Sequence, residues 1–226
     1  MRQLLTLLLL LTLTTITAQE DFANLARYRE ANAALPTPTA TEQRVVFLGN
    51  SITEGWVRQD SAFFADNNFV GRGISGQTSP QLLLRFRQDV IDLQPTAVVI
   101  HIGTNDVAEN TGPYDPDFTV GNIRSMVELA QANDIAVILA AVVPSTGFRW
   151  RPEVGDRSAM IVLLNRRLEE LAAEKGIPFV DYHAALRNAD NGMDAELAAD
   201  GVHPTQQGFE VMKELVLPVV EEVRTR

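Results

Sequence analysis

The chain reads as an α/β protein whose parallel sheet is covered by helices on both faces. Two observations predict this. Short apolar runs rich in β-branched residues alternate with longer stretches at helical spacing. Glycine and polar clusters then follow the apolar runs, at the sheet edge where such folds bind ligands.

Met1–Ala18, "MRQLLTLLLLLTLTTITA", has one early cation, a leucine-rich run over Leu4–Leu13 and a small residue at its end, the pattern of a secretory signal. Its apolar run is shorter than the ~20 residues a membrane span needs. Residues 19–43 read as an N-terminal helix and linker. Phe22, Leu25 and Tyr28 are spaced for a helix over Glu20–Leu35, and "PTPTAT" excludes further helix.

Residues 44–226 read as the main domain. "RVVFLG" is a buried strand and "NNFVGRG" a second, weaker one. The helix "SPQLLLRFRQDVIDL" begins with Ser79 as cap and Pro80 in its first turn, and turns Leu82, Phe86, Val90 and Leu93 inward. "TAVVIHIG" is the third strand. A helix over Asp117–Ala132, entered through Pro116, leads to the fourth strand, "DIAVILAAVV". "DRSAMIVLLNRRLEELAAEKG" is a long helix with Met160, Leu164, Leu168 and Leu171 inward, stopped at Gly176. After the fifth strand, "IPFVD", the last helix starts beyond Thr205, carries Phe209, Met212, Val216 and Val219, and is kinked or shortened at Pro218.

Composition narrows the function. A net charge of −10 argues against nucleic acid or an anionic membrane as partner. With no cysteine there is no disulfide, thiol nucleophile or cysteine-ligated metal. No complete dinucleotide or P-loop fingerprint is present, and no cofactor or metal is expected.

The first strand ends in "GNS", so Ser51 is either a helix cap or a nucleophile at a helix N-terminus. A nucleophile needs a base, a carboxylate that orients the base, and donors for an oxyanion. Three histidines are available. His101 lies inside a strand and reads as a packed residue, while His183 stands at a strand end. His203 shares the "DGVHP" loop with Asp200, at a spacing that presents both side chains together. That pair suits either an oriented base or two metal ligands, for which the obvious third is missing. Trp56, Phe148 and Trp150 suit an acyl pocket, a sugar-stacking surface or plain packing.

"GNSIT", "GRGISGQTS", "GTND" and "DGVHP" occur in that order, each after a strand or before the last helix. Together they resemble the blocks of the SGNH (GDSL-type) hydrolases, a family of esterases and lipases, over about Arg44–Val220. The resemblance implies a three-layer α/β/α sandwich with a flavodoxin-like, five-stranded parallel sheet. It implies Ser51 as nucleophile, His203 as base and Asp200 as its orienter. Ser51, Gly73 and Asn105 would supply the oxyanion donors. Asn50 departs from the family's usual aspartate before the nucleophile.

With no lid-like insertion, a short-chain O-acyl esterase acting on carbohydrate acetates is expected rather than a triglyceride lipase. A short-chain lysophospholipase or thioesterase, and a non-catalytic carbohydrate-binding protein, are the alternatives. Location is expected to be periplasmic or extracellular.

Overall fold

A computed structural model describes residues 21–39 and 41–225; the expected signal segment lies outside them. Five parallel strands form one sheet: β1 (Val45–Gly49), β2 (Phe69–Gly73), β3 (Ala97–His101), β4 (Ala136–Ala140) and β5 (Phe179–Val180). Their order is β2-β1-β3-β4-β5. The chain therefore leaves β1 and β3 towards opposite sides of the sheet, and the crevice beyond their C-terminal ends is where such sheets bind ligands.

Alternation along each strand divides the core. Val46, Leu48, Val98, Ile100, Val137 and Leu139 face one layer. That layer comprises α4 (Ser79–Asp89), α6 (Pro116–Gln131) and α7 (Ser158–Lys175). Val45, Phe47, Val99, Ile138 and Ala140 face the other. It comprises α2 (Ser51–Gln59), α3 (Ser61–Asp66), α8 (Tyr182–Leu186) and α9 (Gln206–Arg224). This is the three-layer sandwich, and burial on both faces explains why the strands read as continuous apolar runs.

Several elements differ from expectation. Residues 22–28 form turns, and only Arg29–Ala34 (α1) is helical. Phe22 is exposed while Leu25 and Tyr28 are partly buried, so the three do not share one covered helical face. The carbonyls of Phe22, Ala23 and Leu25 accept hydrogen bonds from the side chains of Gln81, Gln77 and Gln88, whereas a helix would bond such carbonyls internally.

Thr78, not Ser79, is the N-cap of α4, and its N–H donates to Gln81 Oε1 as half of a capping box. α4 stops at Asp89, with Ile91–Leu93 a separate 3₁₀ turn. In α7, Ile161 takes the inward position expected of Met160; in α9, Val220 replaces Val219. Pro218 does not end α9, because its ring faces solvent while Val216, Val220 and Val223 anchor the helix on either side. The short helices α3, α8 and α5 (Thr104–Val107) carry too few residues for a periodic signal.

Two buried charges tie the layers together near the C-terminal edge. Arg85 of α4 is fully buried. It donates to Gly49 O (2.9 Å), Arg72 O (2.9 Å), Gln77 Oε1 (2.7 Å) and Asp89 Oδ2 (2.9 Å). Asp106 of α5 accepts from the N–H (3.0 Å) and hydroxyl (2.6 Å) of Ser79, so it staples α5 to the start of α4. Burial pushes the Asp106 carboxyl up to about 6, against the opposing effect of the Ser79 hydrogen bonds.

Two outcomes test these ties. Arg85→Met strands Asp89 and the strand-end carbonyls, and lowers the unfolding free energy in urea by about 3–5 kcal/mol. Because the Asp106 pKa is raised on folding, its contribution is fully present below the unfolded value and is lost as pH rises through about 6. Wild type therefore loses roughly 3 kcal/mol relative to Asp106→Asn between about pH 3 and 7, measurable as a difference between two urea-unfolding series.

Candidate active site

β1 delivers the chain directly into α2. Asn50 caps the helix, with its buried side-chain oxygen accepting from Ile52 N–H (3.0 Å). The family's usual carboxylate is thus replaced by an amide that keeps the capping bond. Ser51 follows as the first helical residue, where the helix dipole favours negative charge.

The loop before α9 brings up the two remaining groups. Gly201 turns it through a left-handed conformation (φ 81°), which a side chain would disfavour. Asp200 Oδ1 then accepts from Val202 N–H (3.0 Å) and His203 N–H (2.7 Å). Its Oδ2 lies 2.7 Å from His203 Nδ1, and His203 Nε2 lies 2.8 Å from Ser51 Oγ.

A carboxylate only accepts, so Nδ1 carries the imidazole proton and Nε2 is left to accept from the Ser51 hydroxyl. Partial burial works to raise the Asp200 pKa. The hydrogen bonds from the His203 ring and the two backbone N–H groups outweigh it and hold the carboxyl below its ordinary value. Asp200 is ionised at neutral pH.

Gly73 and Asn105 stand on the neighbouring strand ends. Gly73 pairs in register with Gly49 and packs on the first turn of α2. A Cβ there would meet Glu54 N at 2.3 Å and Asn50 O at 2.6 Å, so only glycine lets β2 approach so closely. Asn105 is buried in α5, and its Nδ2 donates to Gln77 O (2.9 Å). An amide nitrogen carries two hydrogens, so this bond anchors the group and leaves the second hydrogen to be offered elsewhere.

The aromatic expectations need correction. Trp56 is a core residue, stacked between Phe63 (5.3 Å) and Phe209 (5.4 Å). It falls on the inward face of α2 beside Ile52, so it cannot reach a ligand. Phe148 is buried in the layer of α4, α6 and α7. Trp150 alone of the three is exposed (40%), its ring 5.8 Å from that of His203.

His101 is packed edge-on against Tyr182 (5.5 Å), and burial lowers its pKa to about 4. It is therefore neutral at physiological pH. His183 is buried in α8, with its pKa lowered chiefly by burial, and does not line the Ser51 cavity. No group of three potential metal ligands occurs among the described residues.

Gln77 and Arg85 escape sequence reading. Arg85 donates to Gly49 O, to Arg72 O and to Gln77, so one guanidinium fixes the residues next to Asn50, Gly73 and Asn105. The available signal is a cation on the inward stripe of α4, between Leu82 and Phe86 and four residues before Asp89.

Comparison with known proteins agrees with this architecture. The GDSL-like lipase from Bacteroides thetaiotaomicron VPI-5482 is 52% identical with a TM-score of 0.87, over 89% of this chain and 99% of that one. A Bacteroides fragilis NCTC 9343 structure is 49% identical with a TM-score of 0.89, over 91% and 100%.

Among curated proteins, an acetylxylan esterase from Xylanibacter ruminicola is 22% identical over 83% of this chain. The alignment spans 45% of that esterase's own length. The isoamyl acetate-hydrolyzing esterase of Saccharomyces cerevisiae is 26% identical over 68% of this chain and 69% of its own. The model of the GDSL-like lipase/acylhydrolase family matches residues 47–211, most of the chain, and with the parallel sheet and its four edge motifs this makes the protein a member of that family.

Proposed function

We propose that this protein is an exported carboxylic ester hydrolase that removes short acyl groups, with O-acetyl groups on carbohydrate as its substrate class. One observation carries the reading. Ser51 Oγ, His203 Nε2 with Nδ1, and Asp200 Oδ2 form a continuous hydrogen-bonded relay of 2.8 and 2.7 Å at the sheet's switch point.

In the first step Nε2 takes the Ser51 proton as Oγ attacks the ester carbonyl, and Asp200 stabilises the resulting imidazolium. Negative charge develops on the former carbonyl oxygen. The N–H groups of Ser51 and Gly73 and the free amide hydrogen of Asn105 receive it. The imidazolium then gives its proton to the leaving alcohol as the C–O bond breaks, leaving an acyl group on Oγ. Water, deprotonated by the same nitrogen, attacks that acyl-enzyme, releasing the acid and restoring the serine.

Acetyl preference is supported by the relatives named for acetylxylan and isoamyl acetate, both acetate esters. Export rests on the Met1–Ala18 pattern. The division at residues 19–43 and 44–226 is retained, with the first segment packed on α4 and β2.

A serine-directed phosphonate is expected to label Ser51, read by mass spectrometry, and Ser51→Ala to abolish both label and turnover. Labelling of another residue refutes the assignment. Asn105→Ala is expected to lower kcat by ~10²–10³ with the fold intact; undiminished activity removes Asn105 from the mechanism. An acetate-release screen over acetylated glycans, with the Ser51→Ala protein as blank, tests the substrate class.

A further inference from the structure

The cavity that contains Ser51 and His203 encloses about 280 Å³. A second, larger cleft of about 430 Å³ adjoins it, and Ser75 lines both. The floor of the larger cleft is the Ile74–Gln77 loop, which leaves β2 directly after Gly73. Trp150 contributes to its lining, as do Phe22 and Asn24 of the N-terminal turn. That turn precedes the family match.

The turn is held in place by its backbone. Phe22 O and Ala23 O accept from Gln81 and Gln77, and Asn24 sits in the left-handed region (φ 52°). Further along, the Tyr28 hydroxyl donates to Gly73 O.

The Trp150 ring is preset before any ligand arrives. Its Nε1 donates to Asn110 Oδ1 (2.9 Å), Asn110 Nδ2 donates to Gly76 O (3.0 Å), and the ring rests against Phe148 (5.4 Å). Phe22, half exposed, adds a second aromatic surface. Asn24, Gln81 and Asn110 supply amides. Arg151 is the single ionisable side chain in the lining, and it is engaged by Glu153 and by Glu109 O.

We infer that this cleft binds the alcohol half of the ester, a neutral saccharide, and that the N-terminal turn is a working wall of it. The inference rests on the esterase reading above. Three arguments carry it. The volume lies in the ~300–1,000 Å³ range of small-molecule sites, far beyond what an acetyl group fills. The leaving oxygen must take its proton from His203, and Trp150 packs against that imidazole. Preset aromatic faces flanked by amides, with no uncommitted charge, match the apolar ring faces and hydroxyl rims of a neutral sugar.

The test has two arms. In the first, xylo-, gluco- and manno-oligosaccharides without acetyl groups are titrated into the Ser51→Ala protein while tryptophan emission is followed. Trp150 is the exposed one of two tryptophans, so its signal reports the cleft. A saturable shift with at least one series is expected; no shift with any of them overturns the inference.

In the second, kcat/KM is compared between an acetylated xylo-oligosaccharide and nitrophenyl acetate. Trp150→Ala, Phe22→Ala and Asn24→Ala are each expected to lower the oligosaccharide value about 2- to 10-fold more than the nitrophenyl acetate value, mainly through KM. Equal losses on both substrates overturn the inference. So does a selective loss confined to Arg58→Ala, because Arg58 lines the smaller cavity and not the larger cleft.

The two readings fail differently. If the esterase reading is wrong, wild type hydrolyses neither substrate, whatever the titration shows. If only the cleft is misassigned, nitrophenyl acetate is still hydrolysed and the emission stays constant.

Discussion

The geometry of the site depends on one buried cation. Arg85 donates to the last residue of β1, to the penultimate residue of β2 and to Gln77, and it balances its own charge on Asp89. A guanidinium offers five N–H groups in a fixed plane, so it can hold several acceptors at set angles where an ammonium could not. Segments far apart in sequence are thereby locked to one another beneath Ser51, Gly73 and Asn105. In the proposed mechanism these three receive the oxyanion, and pre-set dipoles suit that task because groups that must reorganise during the reaction lose most of their advantage.

Two aspartates show how surroundings divide one chemical type between tasks. Asp106 is buried, and removal of water dominates over its hydroxyl and N–H partners, so its carboxyl titrates unusually high. Asp200 keeps partial contact with solvent and is surrounded by donors from its own loop, so its carboxyl titrates low. The first is a structural pin between α4 and α5, and the second is a permanent anion behind an imidazole. His101, buried at the end of β3, is likewise kept uncharged by removal of water.

Much of this was legible in the sequence. The strands announce themselves as apolar runs, and the residues grouped at their ends, from Ser51 to His203, are short-range signals that need no tertiary knowledge. Trp56 and Phe148 stay ambiguous in the sequence because an aromatic ring has the same chemistry in a core and in a pocket; the packing of Phe63 and Phe209 decides for Trp56, and burial in the opposite layer for Phe148. The N-terminal turn was misread as helix because its carbonyls are claimed by Gln77, Gln81 and Gln88, which lie more than fifty residues away. Arg85 has the same character: the acceptors that tie it to the strand ends, Gly49 O and Arg72 O, are backbone atoms, which leave no trace in residue identity.

A final consequence follows from how the two ends of the family domain meet. Gln43, just ahead of β1, and Arg224, at the close of α9, bond to each other through side chain and main chain. Both lie beside the edge where strands begin, across the sheet from Ser51. A module grafted after α9 would thus hang from the rear of the domain, whereas the chain ahead of Gln43 runs forward to the cleft rim, where Phe22 and Asn24 lie.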